Sequence, residues 1–407
     1  MSELNLLKDE TKTPTITMPN RPYEASRPWL RFCVDFRPAR PSFWVILGEC
    51  QSKCDHLAGV PLRPDVSQMM HRVYLAKGVS GTTAIEGNTL SEDEVLRHVE
   101  GRLEVPASKE YLKQEIDNII QECNNMLGQI KKGTPLTLSL DRIKQINSAV
   151  LLGLTHGEGV VPGDLRHNSF GVLGYRGAPH EDCEYLICRL CDWLNGPDFE
   201  PHSGLGKMHM AILKAMIAHL YIEWIHGFGD GNGRTGRLVE FQILLAAGVP
   251  SPACHILSNH YNQTRSTYLA ELKAASASGG DVLPFLTYAL NGFAEGLREQ
   301  LTYVRYLQME VTWINYIHEQ FRDSRSRASH RQKLLLLDIF DKENPVRISE
   351  VPQLSPRLAR EYAGKHPITV NRDVEFLVRK NLLLRKGRSV SPNLSLIAEF
   401  LPIRAND

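Results

Sequence analysis

The chain lacks any excess of charge of one sign. Its 47 Lys and Arg face 46 Asp and Glu across 407 residues, a formal net charge of +1. No global basic field therefore argues for nucleic acid, and any such binding has to come from a local patch. Long apolar runs are lacking as well. Stretches such as Phe43 to Leu47 fall far short of the roughly 20 residues a membrane helix needs, so no membrane partner is expected. The opening MSELNLLKDETKTPTITMPNRPY is polar with scattered proline and has no basic-then-apolar order, so it reads as a loose arm of a cytoplasmic protein rather than an export signal. Internal repeats and low-complexity segments are missing, which excludes a solenoid or an array.

What is present, 42% hydrophobic and 23% charged residues, fits a soluble globular chain of two or three domains. Eight cysteines in so large a chain without an export signal favour reduced thiols. Cys50 and Cys54 lie near His56, and Cys183, Cys188 and Cys191 follow His180. A structural zinc site needs four convergent ligands. The second set instead falls in EDCEYLICRLCDWL, where Cys183, Leu186, Ile187, Leu190, Trp193 and Leu194 make one helical apolar face. These read as core cysteines.

Helical periodicity dominates from about residue 67. SEDEVLRHVEG carries Ser91 and Glu94 at capping-box spacing. SKEYLKQEIDNIIQECNNMLGQI predicts a helix ending near Gly128 or Gly133, and SLDRIKQINSAVLLGL predicts another. GVVPGDLRHNSFGVLGYRGAPHEDCEYL mixes Gly, Pro and short β-prone pieces and predicts a hairpin. Helices resume with CEYLICRLCDWLNG, GKMHMAILKAMIAHLYIEWIHGF, GRLVEFQILLAAGV, NQTRSTYLAELKAAS and VLPFLTYALNGFAEGLREQL. VTWINYIHEQFRDSRSRASHRQ reads as a connecting helix. Beyond it a helix, a short strand, two helices and two strands around a basic Gly turn make a winged-helix pattern. The fold class expected is mainly α: a helical bundle with a short β-hairpin, then a winged-helix-like α/β domain. The segments are an N-terminal arm (1–66), N-terminal helices (67–135), a core (136–300), a linker helix (301–330) and the winged-helix-like domain (331–407).

The densest chemistry is IHGFGDGNGRTGR, residues 225–237, with five glycines among one His, one Asp, one Asn and two Arg. GNGRTG fits the GxGxxG spacing, but a dinucleotide fold needs a strand before it, and the preceding segment has helical spacing. A phosphate loop of the Walker type would end in Gly-Lys-Ser/Thr, whereas Gly233-Arg234-Thr235 stands here. The chemistry remains that of an anion site. Glycines expose backbone N–H groups at a helix start, whose partial positive charge favours a phosphate. Arg234 and Arg237 oppose the dipole there, a placement that makes sense if a polyanion neutralises them. Asp230 suits Mg²⁺, and His226 suits proton transfer near neutral pH.

This stretch resembles the Fic family signature, His-Pro-Phe-x-Asp/Glu-Gly-Asn-Gly/Lys-Arg-x-x-Arg, through His226, Phe228, Asp230, Gly231, Asn232, Gly233, Arg234 and Arg237. Gly227 departs from it, standing where the family usually has Pro; proline would fix φ before the loop. The resemblance covers roughly residues 70–300 and implies a Fic-type core. It implies His226 as general base and Asp230 as holder of Mg²⁺. It implies Gly231, Asn232, Gly233, Arg234, Thr235, Gly236 and Arg237 as the binding surface for ATP. AMP would pass to a Ser, Thr or Tyr hydroxyl of a target protein. Thr82-x-x-x-Glu86-Gly87-Asn88 in GTTAIEGN resembles the family's inhibitory motif and implies that Glu86 pairs with Arg237. The same residues also read as a helix ending at Glu86 with Gly87 as its cap.

The hairpin resembles the family's flap, whose edge would hold the target by strand addition. SNHYNQTRSTYLAEL falls where the family surrounds adenine, with Tyr261, Tyr268 and Leu269 as candidates, although aromatics at this spacing also suit a core. The leading expectation is an autoinhibited protein adenylyltransferase. The alternatives are a Doc-like protein kinase, against which Gly233 argues because that branch carries Lys there; removal of AMP by the same site; and a DNA-binding regulator. The last rests on Arg372, Arg379, Lys380, Arg385, Lys386 and Arg388, set against Asp373 and Glu375. A protein partner at that domain and a homodimer stay open at this point.

Overall fold

A computed structural model describes residues 21–398 apart from 169–170, 173–174, 203, 341 and 343. Two compact units divide the chain, Met1–Arg298 and Glu299–Asp407. The first twenty residues of the expected arm lie outside the described residues. The rest of the arm is not irregular, which corrects the reading of 1–66. It holds α1 (Pro22–Ser26) and a 19-residue helix, α2 (Pro41–Gly59). Phe43, Leu47, Cys50 and Cys54 of α2 are buried at helical spacing. Its proline at the first helical turn starts the helix instead of breaking it, and this made the segment look like a loop.

The first unit continues with α3 (Pro64–Ile85), α4 (Glu92–Val99), α5 (Glu110–Lys131) and α6 (Leu140–Leu151). The Ser91–Glu94 capping box forms, and α5 ends before Gly133 as expected. The hairpin pairs β1 (Gly171–Val172) with β2 (Tyr175–Arg176) in antiparallel register; its turn lies outside the described residues. Then follow α7 (Cys183–Leu194), α8 (Lys207–Ile225), α9 (Asn232–Ala246), α10 (Ser251–Cys254), α11 (Ile256–Gln263) and α12 (Arg265–Ala277). Cys183 and Cys191 are buried in the core face of α7.

α8 is apolar on nearly every side and is buried accordingly, as the central helix of a bundle must be. α9 packs against it where Gly236 leaves room: a Cβ there would lie 2.9 Å from Nδ1 of His219. α3 lies close on α11 for the same reason. A Cβ at Gly81 would meet the Ser258 carbonyl oxygen at 2.8 Å. These two close packings bring the end of α3 to the start of α9.

α13 (Leu283–Gln320) is continuous across the division between the units. The expected linker helix over 301–330 is therefore corrected. Residues up to 320 are the end of α13, and Trp313 and Ile317 belong to the second unit's core. Turns occupy residues 321–323, and α14 (Arg327–Asp338) begins where the Ser326 hydroxyl accepts the Ser329 N–H at 3.0 Å. The second unit goes on with β3 (Val346–Arg347), a 3₁₀ segment, α15 (Pro356–Tyr362), α16 (Ile368–Arg379), β4 (Leu383–Lys386), β5 (Ser389–Pro392) and α17 (Ser395–Ala398). The antiparallel sheet runs β3-β5-β4, with Gly387 at φ 63° in the β4–β5 turn. Asp373 does not offset surface charge as the sequence suggested. It is buried, and it accepts from Arg331 at 2.8 Å, Gln332 at 2.9 Å and Tyr362 at 3.2 Å, which ties α16 to α14 and α15. Among the described residues no helix is long and apolar enough to cross a membrane.

Candidate functional site

The glycine loop joins the end of α8 to the start of α9. His226 ends α8 in the left-handed region, φ 49° and ψ 54°, which a non-glycine residue occupies only when its surroundings hold it there. Buried Arg166 does much of the holding. Its Nε donates to the His226 carbonyl at 2.6 Å, and its other nitrogens donate to the carbonyls of Asn168 and Ala178. Backbone bonds Arg166 N–H to Gly227 O at 3.0 Å and Ala178 N–H to Ile225 O at 3.1 Å brace the same bend. Gly177 must be glycine for this approach, since a Cβ would lie 2.8 Å from that of His226. At Gly227 the space a ring would need is partly filled by Ile187, whose Cδ1 lies 2.9 Å from an added Cβ.

Asn232 closes the loop, because its side chain accepts from the Phe228 N–H and donates to the Phe228 carbonyl, both at 2.9 Å. Gly231 takes φ 75° and begins α9, and no side chain caps that helix. The Thr235 N–H finds the Gly231 carbonyl at 2.9 Å. A helix leaves its first N–H groups without intrahelical partners, so Asn232, Gly233 and Arg234 present donors at a positive helix end. Asn147 fixes this turn, donating to the Asp230 carbonyl at 3.0 Å and to the Thr235 hydroxyl at 3.2 Å.

Carboxylates neutralise both arginines here, where the sequence suggested a phosphate. Buried Arg234 donates to Glu115 at 2.5 Å and to Asp230 at 3.0 Å. Buried Arg237 donates through Nε to the Thr82 hydroxyl at 2.7 Å, and through Nη2 to the Thr82 carbonyl at 3.1 Å and to Glu86 at 2.5 Å. Glu86 follows the last residue of α3, and Gly87 at φ 105° turns the chain away. The helix end and the ion pair coexist. A carboxylate at a helix C-terminus opposes the dipole, so Arg237 is what makes the position tolerable. Burial alone would raise the Glu86 pKa, but the charge and hydrogen bond of Arg237 outweigh it and hold the group below its usual range. The inner side of Arg237 is closed: the cavity between Thr82, Ile119, Arg237 and Phe241 holds only about 10 Å³.

Burial, with the charge of Arg166 next, pushes the His226 pKa down to about 4, against the opposing pull of Glu86 and Asp230. The imidazole is thus neutral at physiological pH and able to accept a proton. Asp230 keeps a half-exposed carboxylate, with Oδ1 bonded to the Gly231 N–H at 2.5 Å and to Arg234. One hard oxygen ligand fits Mg²⁺ that arrives with phosphates, since this ion takes few protein ligands and keeps waters. No group of three His, Cys, Asp or Glu side chains able to cage a metal occurs among the described residues.

His226, Asp230, Gly231, Asn232, Gly233, Arg234, Arg237 and Glu86 come together around one helix start. Thr235 and Gly236 belong to the same turns but face inward, toward Asn147 and His219. Tyr268 is buried, donating or accepting at 2.9 Å with His219 and stacked on Tyr261, while Leu269 is 39% exposed. Sequence reasoning missed Arg166, Asn147 and Glu115, and named Asn88 without its partner. Asn88 donates to Glu115 at 2.8 Å, so one carboxylate ties the turn after Glu86 to Arg234. Asn88 was already named as the last residue of the inhibitory stretch; the other three come from distant segments.

A helical domain with a glycine loop leading into an uncapped helix start at its centre is thereby defined. Residues 137–244 match the model of the Fic/DOC family and form a Fic/DOC family domain. Among curated relatives, Protein adenylyltransferase Fic of Nematostella vectensis is 28% identical over 246 residues, 60% of this chain and 52% of that protein. Protein adenylyltransferase Fic of Drosophila willistoni is 30% identical over 212 residues, 51% of this chain and 38% of that one. The chain thus spans about half or less of the length of these relatives. Among solved structures, a segment of Fic-1 from C. elegans superposes with TM-score 0.53 at 24% identity, covering 65% of this chain and 73% of that one. A Fic family protein from Desulfovibrio desulfuricans G20 gives TM-score 0.51 at 17% identity, covering 86% and 95%. At these identities the likeness establishes the Fic fold.

Proposed function

We propose that the protein transfers AMP from ATP to a hydroxyl side chain of a target protein, and that Glu86 restrains this activity. The observation that carries the reading is the double hold of Thr82 and Glu86 on Arg237, beside an uncapped helix start and a neutral His226. In this mechanism His226 takes the proton of the target hydroxyl while its oxygen attacks the α-phosphorus, and the bond to pyrophosphate breaks. The N–H groups of Asn232, Gly233 and Arg234 stabilise charge on phosphate oxygens, a fixed arrangement that needs no reorganisation during reaction. Asp230 would hold Mg²⁺, which supplies charge neutralisation to the phosphates. Arg237 binds the terminal phosphate only after leaving Glu86. The edge of the β1–β2 hairpin would hold the target segment. We place the protein in the cytoplasm, in keeping with its eight unpaired thiols.

Gly233 favours AMP transfer over the kinase reading. A Cβ there would lie 2.3 Å from Oε1 of Glu86, so a lysine in this position conflicts with the Glu86 lock. The test offers ATP labelled on the α- or γ-phosphate, with Mg²⁺ and lysate, to wild type, Glu86→Gly and Glu86→Gly/His226→Ala proteins. The expected result is α-label on protein, strongest in Glu86→Gly and lost with His226. Transfer of γ-label would make it a kinase. Absence of both labels, with release of AMP from a modified substrate, would make it a hydrolase of the same bond.

A further inference from the structure

Three arginines of the second unit are held in ion pairs. Arg331 is paired with Asp373, Arg357 with Asp338 and Arg322 with Glu319. Arg325, Arg327, Lys333, Arg360 and Lys365 have no carboxylate partner among the described residues, and all five line one cleft of about 540 Å³ where α14 begins and α15 ends. Glu361 is the single acid in its wall, and Ser324, Ser326 and Ser329 supply hydroxyls. A second cleft of about 1160 Å³ adjoins it, with Ala363 and Lys365 common to both. Arg347, Arg385 and Arg388 line the second cleft, again without carboxylate partners among the described residues, and no acid stands in its wall. Holding so many like charges on one face costs free energy through mutual repulsion, and an anion would relieve it.

The geometry points to a duplex DNA backbone lying along these joined clefts. A single phosphate would need one socket, whereas two clefts in tandem offer successive cations, as a run of phosphates requires. Single strands are held largely by stacking bases on aromatic rings. The Phe and Tyr rings in these walls, Phe321 and Tyr362, are buried, which leaves His330 as the single exposed ring, too little for a stacking platform. Arginine, lysine and serine side chains without a base-reading platform position a backbone and carry no sequence preference themselves. The surface overlaps the one the sequence suggested only at Arg385 and Arg388. Arg372 and Arg379 on α16, and Lys380 just after it, line neither cleft. This binding is independent of AMP transfer.

The experiment measures fluorescence anisotropy of a labelled 24-base-pair duplex with the full chain from 50 to 200 mM salt. Single-stranded DNA of equal length and polyglutamate serve as comparisons. Engagement of about five phosphates predicts a log–log salt slope near −4.5, a loss of roughly 500-fold across that range. Arg360→Glu/Lys365→Glu should abolish binding, and Arg325→Ala/Arg327→Ala should weaken it at least about fivefold. Arg372→Ala/Arg379→Ala should leave it within about twofold. No duplex binding at 50 mM salt overturns the proposal. So does an equal loss in the α16 variant, or tighter binding of polyglutamate or of the single strand. Circular dichroism and AMP transfer of each variant separate misfolding, or failure of the enzymatic reading, from failure of this one.

Discussion

Replacement of Glu86 by glycine should do two opposite things, and both follow from the burial of its partner. The Arg237 side chain is 1% exposed and that of Glu86 is 32% exposed. A hydrogen bond between charged groups contributes about 1.5–3 kcal/mol when buried. Water reaches the Glu86 side, so the lower part of that range applies, about 1–2 kcal/mol after screening. Under the proposed mechanism, ATP bound to the wild-type protein must displace this contact before its terminal phosphate reaches Arg237, and in the variant it need not. At 1.4 kcal/mol per tenfold, ATP should bind Glu86→Gly about 5–30-fold more tightly. Without nucleotide the same variant leaves a buried guanidinium bonded to Thr82 alone, which should lower Tm by roughly 2–6 °C. Bound ATP should recover more than that loss, since a ligand stabilises the state it binds. Isothermal titration calorimetry and thermal unfolding with and without Mg-ATP measure both effects. A variant that binds ATP no more tightly than wild type, or that melts no lower in its absence, would refute the assignment of Arg237 to a shared role.

Thermal stability should pass through a maximum between about pH 5 and 6.5. Burial holds His226 at about 4 and His255 at about 3, below the usual 6.5, so the unfolded chain binds more protons and stability falls as pH drops through 6.5 toward 4. Burial raises Glu223 to about 7 and Glu240 to about 8, so the native state binds more protons there and stability falls as pH rises from 4.5 through 8. A melting temperature that climbs steadily from pH 5 to 8 would contradict this. Glu115→Gln removes the charge that holds Arg234 and should cost about 1–3 kcal/mol, read by chemical denaturation, while raising the Mg²⁺ concentration needed for half-maximal activity. Gly81→Ala forces α3 away from the backbone of α11 and should cost about 1–3 kcal/mol. Because Glu86 rides on the end of α3, the same variant should transfer more AMP than wild type; unchanged stability and activity would show that this packing does not aim Glu86.

Much of the site was legible because its residues are contiguous. The loop from His226 to Arg237 carries its chemistry in one uninterrupted stretch, and Thr82 and Glu86 sit at one helical spacing. Glu115 was not legible, since it stands in an amphipathic helix like any other polar residue and becomes special only where α5 passes Arg234. Arg166 was hidden within an irregular stretch, and its role depends on three carbonyls from separate segments. Tyr268 had the opposite fate: its position suggested a nucleotide neighbour, and packing put it in the core against His219. α2 was lost because proline reads as a breaker unless one knows that it starts the helix.

By itself the sequence determined the mainly helical class, the turn that presents backbone N–H groups, and the residues able to carry phosphate and proton chemistry. These follow from periodicity, glycine freedom and side-chain type, all properties of neighbouring residues. Only the tertiary structure decided which carboxylate each arginine meets, how far His226 is stripped of water, and which cations of the second unit share a cleft. Those outcomes depend on distances between segments far apart in the chain, and local sequence does not encode such distances.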